Sequence, residues 1–90
     1  MAEVVIYTGM LCGYCAAAKR LLGTKGAEFK EINVTLNAEE RNRMLELSNG
    51  ARTVPQIFIG GIHIGGCDEL YALDNNGELD LLLAGGSTKN

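Results

Sequence analysis

Two glycines constrain the second half of this 90-residue chain more than any other feature. Gly60-Gly61 stands between two short apolar runs, Gln56-Ile57-Phe58-Ile59 and Ile62-His63-Ile64. Glycine tolerates the positive φ values of two-residue hairpin turns, so this spacing predicts two strands joined antiparallel, side by side. The first half follows a different pattern. Residues 3–7 are a β-branched apolar run bounded by Thr8-Gly9 and predict a largely buried strand. From Cys15 the run Ala16, Ala17, Ala18, Lys19, Arg20, Leu21, Leu22 has high helix propensity, with a stop near Lys25-Gly26. Residues 29–34 alternate as a second strand whose facing stays open. Asn37, with Glu40 three residues on, predicts a capped helix that carries Met44, Leu45 and Leu47 inward and ends at Asn49-Gly50.

A strand, a helix and a strand in that order pair in parallel through a right-handed crossover. After the hairpin, Gly65-Gly66 precedes a third helix from Asp68 to Leu73, which stops near residues 75–77. A short amphipathic turn over residues 79–83 follows, and residues 85–90 are expected to be a flexible tail. The order βαβαββα thus predicts one α/β domain over residues 1–84, a mixed sheet with helices on both faces. A chain this short does not close a second core.

Composition narrows the function classes. A net charge of -3 and a pI near 5.0, with eight Lys and Arg scattered among acids, argue against nucleic acid as a partner. The apolar runs are far shorter than the ~20 residues that span a bilayer, so no membrane role is expected. Residues 1–9 carry no basic stretch followed by a long apolar one, so no secretory signal is expected. Three cysteines, two of them tightly paired, differ from the even, spread set of a secreted disulfide scaffold. A reducing, cytoplasmic setting is the expectation.

Residues 11–20, LCGYCAAAKR, carry that pair, Cys12 and Cys15, between the first strand and the first helix. Three readings compete. In the redox reading, Cys12 lies at a helix N-terminus, where unpaired backbone N–H groups and the dipole favour thiolate over thiol. Cys15, one turn on, is within reach for a disulfide but less exposed, so Cys12 attacks and Cys15 resolves. In the metal reading, Cys12, Cys15, His63 and Cys67 make a Cys3His set. Against it, His63 lies mid-strand, Cys67 follows two glycines, and structural zinc serves chains that lack a core. In the third reading the pair is simply buried at a helix start. A CxxC between a first strand and a helix in a reducing compartment favours the redox reading.

At this point the chain resembles the glutaredoxin family, in its small bacterial-type dithiol branch. The residues that carry the resemblance are Ile6-Tyr7-Thr8, Cys12-Gly13-Tyr14-Cys15, the run from Thr53 to Ile59, and the run from His63 to Leu73. The resemblance implies a thioredoxin-like fold with a four-stranded mixed sheet. It implies a cis Val54-Pro55 bond that exposes the Val54 backbone beside Cys12, where an extended peptide such as glutathione pairs. By similarity, Thr53 and Val54 flank the cysteinyl part of glutathione. The N–H groups of Cys67 and Asp68, after Gly66, hold its γ-glutamyl carboxylate, and the Asp68 carboxylate meets its amino group. Tyr14 lines the groove; Asn42, or Arg41, lies near the glycine carboxylate.

The implied activity is glutathione-dependent thiol-disulfide exchange on protein-glutathione mixed disulfides and protein disulfides, by a monomer. Two departures stand out. Gly9-Met10-Leu11 occupies a stretch where many relatives carry a lysine, and Gly13 replaces the common proline. Relatives with a small residue there hold a 2Fe-2S cluster between two subunits through the first cysteine and glutathione. This gives the alternative, a cluster-binding dimer with Cys12 as ligand. A thioredoxin-type reductant is disfavoured by the lack of tryptophan and by Gly66-Cys67-Asp68. For Cys67, a structural role and a role in regulatory oxidation both stay open.

Overall fold

The computed structural model describes residues 2–85. Strand β1 (Val4–Thr8) lies at the centre, parallel to β2 (Lys30–Asn33) and antiparallel to β3 (Gln56–Ile59). Strand β4 (Ile62–Gly65) completes the hairpin, and the sheet order is β2-β1-β3-β4. Gly60 and Gly61 have φ values of 59° and 80°. Both are in the left-handed region that a tight hairpin needs.

Alternation along the strands builds two layers. Val4, Ile6, Ile57 and Ile59 face a core shared with Ala18, Leu21 and Leu22 of helix α1 (Gly13–Thr24). Helix α3 (Cys67–Asn75) adds Cys67 and Leu70 to the same core, and α4 (Glu78–Leu83) adds Leu79 and Leu83. Tyr7 and Phe58 face the other way, onto Val34 and Met44 of helix α2 (Ala38–Leu47). Their rings meet edge to face at 5.7 Å. This is the mixed sheet with helices on both faces that the element order predicts. The Lys25 ammonium, at the end of α1, ties the first layer together through Asp74 at 2.6 Å and Asp80 at 3.1 Å.

The structure differs from the sequence reading at three points. Helix α1 starts at Gly13, not Cys15, because Cys12 itself caps it. Of the three residues expected inward on α2, only Met44 is buried; Leu45 is half-buried and Leu47 is 52% exposed. A helix alone on its sheet face puts one stripe against the strands; Leu45, about 100° round from Met44, falls at its margin, and Leu47 is the last residue of the helix. Residues 78–83 form a true helix, α4, so the order is βαβαββαα. Leu79 and Leu83, four residues apart, share the buried side that stabilises it. Beyond Gly85, the expected tail lies outside the described residues.

Gly65 is the residue that turns β4 into α3. Its φ is 120°, and a Cβ there would lie 2.9 Å from the Glu69 Cγ. Gly65→Ala is therefore expected to lower unfolding free energy by about 1–3 kcal/mol, the usual cost of such a backbone position. Urea denaturation of the variant beside the wild type measures it.

Candidate active site

The carboxyl end of β1 delivers the chain into a short loop, and the loop delivers Cys12 to the start of α1. Cys12 has extended dihedrals (φ -105°, ψ 105°), as a cap residue must. Its Sγ accepts the Cys15 backbone N–H at 3.1 Å, doing with sulfur what Ser or Asp oxygen does at ordinary helix starts. As a thiol, Cys12 reaches the Val54 carbonyl at 3.7 Å. The Val54-Pro55 bond is cis. Gly9 lets the two loops close on each other, since a Cβ there would press on Val54 Cγ2 at 3.2 Å.

The three sulfurs are free thiols in unlike surroundings. Cys12 is half-exposed, whereas Cys15 and Cys67 are buried. Burial first, and then the hydrogen bond and charge of Cys12, push the Cys15 thiol up to about 11. The Lys19 charge opposes this without offsetting it. Lys19 is itself held at 3.1 Å by Glu31, whose carboxylate also accepts the Thr8 hydroxyl at 2.7 Å. Cys67 is likewise raised, by burial and then by the charges of Asp68, Cys12 and Glu69. Cys15 and Cys67 thus stay protonated at neutral pH.

Beside Cys12 lies a groove of about 330 Å³. It gathers Tyr14, Thr53, Val54, Pro55, Gly66, Cys67 and Asp68, seven of the positions that the family resemblance singles out. Asn42 and Arg41 are not among its lining residues; both lie on the exposed side of α2. Glu69 is the lining residue the sequence reading missed. Its carboxylate accepts the Gly66 N–H at 2.8 Å, so it caps α3 from within the helix. The signal was present, since a Glu at the third helical position is the spacing of a reciprocal cap. Helix geometry then leaves the N–H groups of Cys67 and Asp68 without intrahelical partners, pointing at the groove's end.

The metal set does not assemble. The Gln56 side-chain amide donates to the Thr53 carbonyl at 2.9 Å, and its oxygen accepts from His63 Nε2–H at 2.6 Å. His63 also packs 5.0 Å from the Phe58 ring, on the α2 side of the sheet, while Cys67 belongs to the opposite core. No group of three or more His, Cys, Asp or Glu among the described residues is placed to hold a metal ion. His63 instead satisfies a buried glutamine that steadies Thr53.

One sulfur open to solvent, with a protonated second sulfur held directly behind it, is the working pair of a thiol-disulfide oxidoreductase. The sheet order and flanking helices place it in the thioredoxin-like class. The chain belongs to the glutaredoxin family, whose family model, Glutaredoxin, matches residues 4–64. Glutaredoxin 3 of Escherichia coli (strain K12) is 55% identical over 83 residues, covering 92% of this chain and 99% of that protein. The solution structure of glutaredoxin from Brucella melitensis superposes with a TM-score of 0.81 at 53% identity, covering 97% of this chain and 95% of that one. The crystal structure of a buckwheat glutaredoxin-glutathione complex superposes with a TM-score of 0.84 at 32% identity, covering 93% and 78%. The glutaredoxin family is one of thiol-disulfide oxidoreductases, and the sulfur pair fits that chemistry.

The unlike surroundings of the thiols are checked by alkylation. Iodoacetamide at neutral pH is expected to label Cys12 alone in the folded protein, with Cys15 and Cys67 labelled only after denaturation, as read by peptide mass spectrometry. Stability should also fall as pH rises from about 9 to about 11. In that range the unfolded chain gives up the Cys15 proton that the folded protein retains.

Proposed function

We propose that this protein uses glutathione as co-substrate to reduce protein-glutathione mixed disulfides, and reduces protein disulfides with both cysteines. The groove carries the proposal. One wall is the Val54 backbone, which an extended peptide can meet as an added strand. One end is a helix N-terminus with free N–H groups, suited to a carboxylate, and beside it stands the Asp68 carboxylate, suited to an amine. A γ-glutamyl group presents both. A relative from buckwheat was solved in complex with glutathione, which supports the same ligand for this chain.

The chemistry follows from the two sulfurs. The Cys12 thiolate attacks the glutathione sulfur of a mixed disulfide. The electron pair of the broken S–S bond leaves on the substrate protein's sulfur, which takes a proton from water. A second glutathione, as thiolate, attacks the glutathione sulfur now bonded to Cys12. Oxidised glutathione departs, and Cys12 leaves as a thiolate onto the Cys15 N–H that already faces it. A thiolate that is well stabilised is a weaker attacker but a better leaving group, with a Brønsted slope of ~0.4–0.5, so the two halves of the cycle balance. For a protein disulfide, Cys12 attacks one substrate sulfur, and the other leaves with the electron pair of the broken S–S bond and takes a proton from water. Cys15 then loses its proton and attacks Cys12, freeing the substrate thiol and closing the intramolecular disulfide.

The alternative of a 2Fe-2S cluster shared by two copies through Cys12 and glutathione has one observation in its favour. A Cβ at Gly13 would meet nothing within 4 Å, so the space beside Cys12 is open. The exchange reaction needs neither a second copy nor iron, and it uses Cys15, which the cluster does not; it is the reading adopted.

Coupled turnover of a glutathione mixed disulfide tests the proposal. Cys12→Ser is expected to lower kcat by about three orders of magnitude or more, as removal of a nucleophile does. Cys15→Ser is expected to retain that activity and to lose reduction of protein disulfides. Turnover surviving in Cys12→Ser would overturn the assignment.

A further inference from the structure

We propose that the surface across Gly9 from the groove is a docking site for the protein half of the substrate, and that it selects uncharged, apolar segments flanking the reacting cysteine. The inference rests on the exchange reaction proposed above and concerns the partner rather than glutathione. Leu11 is fully exposed, Leu36 is 92% exposed and Met10 is 63% exposed, all within the two loops at the carboxyl ends of β1 and β2. Water surrounds three large apolar side chains here, beside the reactive sulfur.

Their arrangement is built rather than incidental. The Met10 N–H donates to Thr35 Oγ1 at 2.7 Å, which ties the loop after β1 to the loop after β2. Met10 and Leu36 thereby line one depression of about 330 Å³, and its other lining residues, Asn33, Thr35 and Asn37, are uncharged. Leu11 has a φ of 52°, a region that favours glycine, so the chain holds a leucine outward in a conformation leucine disfavours. The depression adjoins the groove. A Cβ on Gly9 would touch Val54 Cγ2 at 3.2 Å on one side and Thr35 Oγ1 at 3.5 Å on the other. Cys12 reaches the Val54 carbonyl, and Leu11 and Met10 directly precede it in the chain.

The reaction says what comes here. With glutathione in the groove, the protein carrying the leaving sulfur must lie over the remaining surface around Cys12, for the attacking, central and leaving sulfurs must align. The lining of the depression carries no charge, while the far end of the groove carries Asp68 and Glu69 and the whole chain has a net charge of -3. An acidic segment gains nothing at such a rim and is repelled by the chain; an apolar segment buries Met10, Leu11 and Leu36. A second copy of this chain seated there would cover Cys12, the sulfur that the reaction needs open.

The test uses two peptides of equal length glutathionylated on a central cysteine, one flanked by Leu and Val, the other by Glu and Ser, with cysteine-glutathione disulfide as the small substrate. The wild type is expected to favour the apolar peptide about tenfold in kcat/KM, through KM, the size of effect that burying one leucine allows. In Leu11→Gly/Leu36→Ser that preference should disappear, with turnover of the small disulfide unchanged and the unfolding midpoint not lowered by Leu11→Gly, since glycine suits that φ. Equal kcat/KM for the two peptides in the wild type, or a preference surviving in the double variant, would overturn the proposal. Binding is measured separately, from amide shift changes on adding the same peptides with serine in place of cysteine. Shifts at Met10, Leu11 and Leu36 with the apolar peptide alone support the docking surface even if no glutathione substrate turns over, a result that would sink the exchange reaction instead. Self-association through these residues without peptide would contradict the proposal.

Discussion

The hydrogen bond from the Cys15 N–H to the Cys12 sulfur is the interaction on which the rest of this protein turns. It makes one atom both the cap of α1 and, in the reaction proposed above, the nucleophile. Without a cap, the first turn of α1 would expose unpaired donors; with an oxygen cap it would be stable and inert. Sulfur takes the same N–H and remains half-exposed, so the atom that starts the helix is also open to solvent. The remainder of the fold serves that placement. β1 aims the chain at the site from the middle of the sheet, and α1 is clamped behind it by the core shared with α3 and α4.

The two cysteines of the motif differ because the fold treats their surroundings differently. Cys15 is one helical turn further on and faces the core, where burial keeps it a thiol. In the reaction proposed above, that asymmetry gives the pair an order: the open sulfur reacts first, and the buried one acts only when a substrate remains bonded to its neighbour. Cys67 lies at the start of another helix yet packs into the core beside Leu70, which keeps it out of the sequence of events.

Much of this was legible in the chain. The Gly60-Gly61 hairpin, the Asn37 cap and the sulfur at a helix start are local signals, and the parallel first pair follows from the order of consecutive elements; each is present as read. What the residues alone could not reveal is which loops meet. Cys12 and Val54 are 42 positions apart, and only the sheet order, with β3 antiparallel beside β1, brings their segments together. The resemblance to a family named seven residues that the groove brings together; Asn42, which it also named, is not among the groove's lining residues. The narrow buried stripe of α2 and the short α4 depend on how much of a sheet face one helix covers, a tertiary quantity that periodicity does not carry. The Gln56-His63 bond is of the same kind: a buried amide finds its partner across a hairpin, and a histidine that reads as a candidate ligand proves to be structural.

The central claim is that Cys12, and no other sulfur, begins the reaction. Its most direct test is to mix the reduced protein with oxidised glutathione and map the products by mass spectrometry as they form. The account predicts that glutathione appears first on Cys12, followed by a Cys12–Cys15 disulfide, with Cys67 still a free thiol. A first adduct on Cys67 or Cys15 would contradict it.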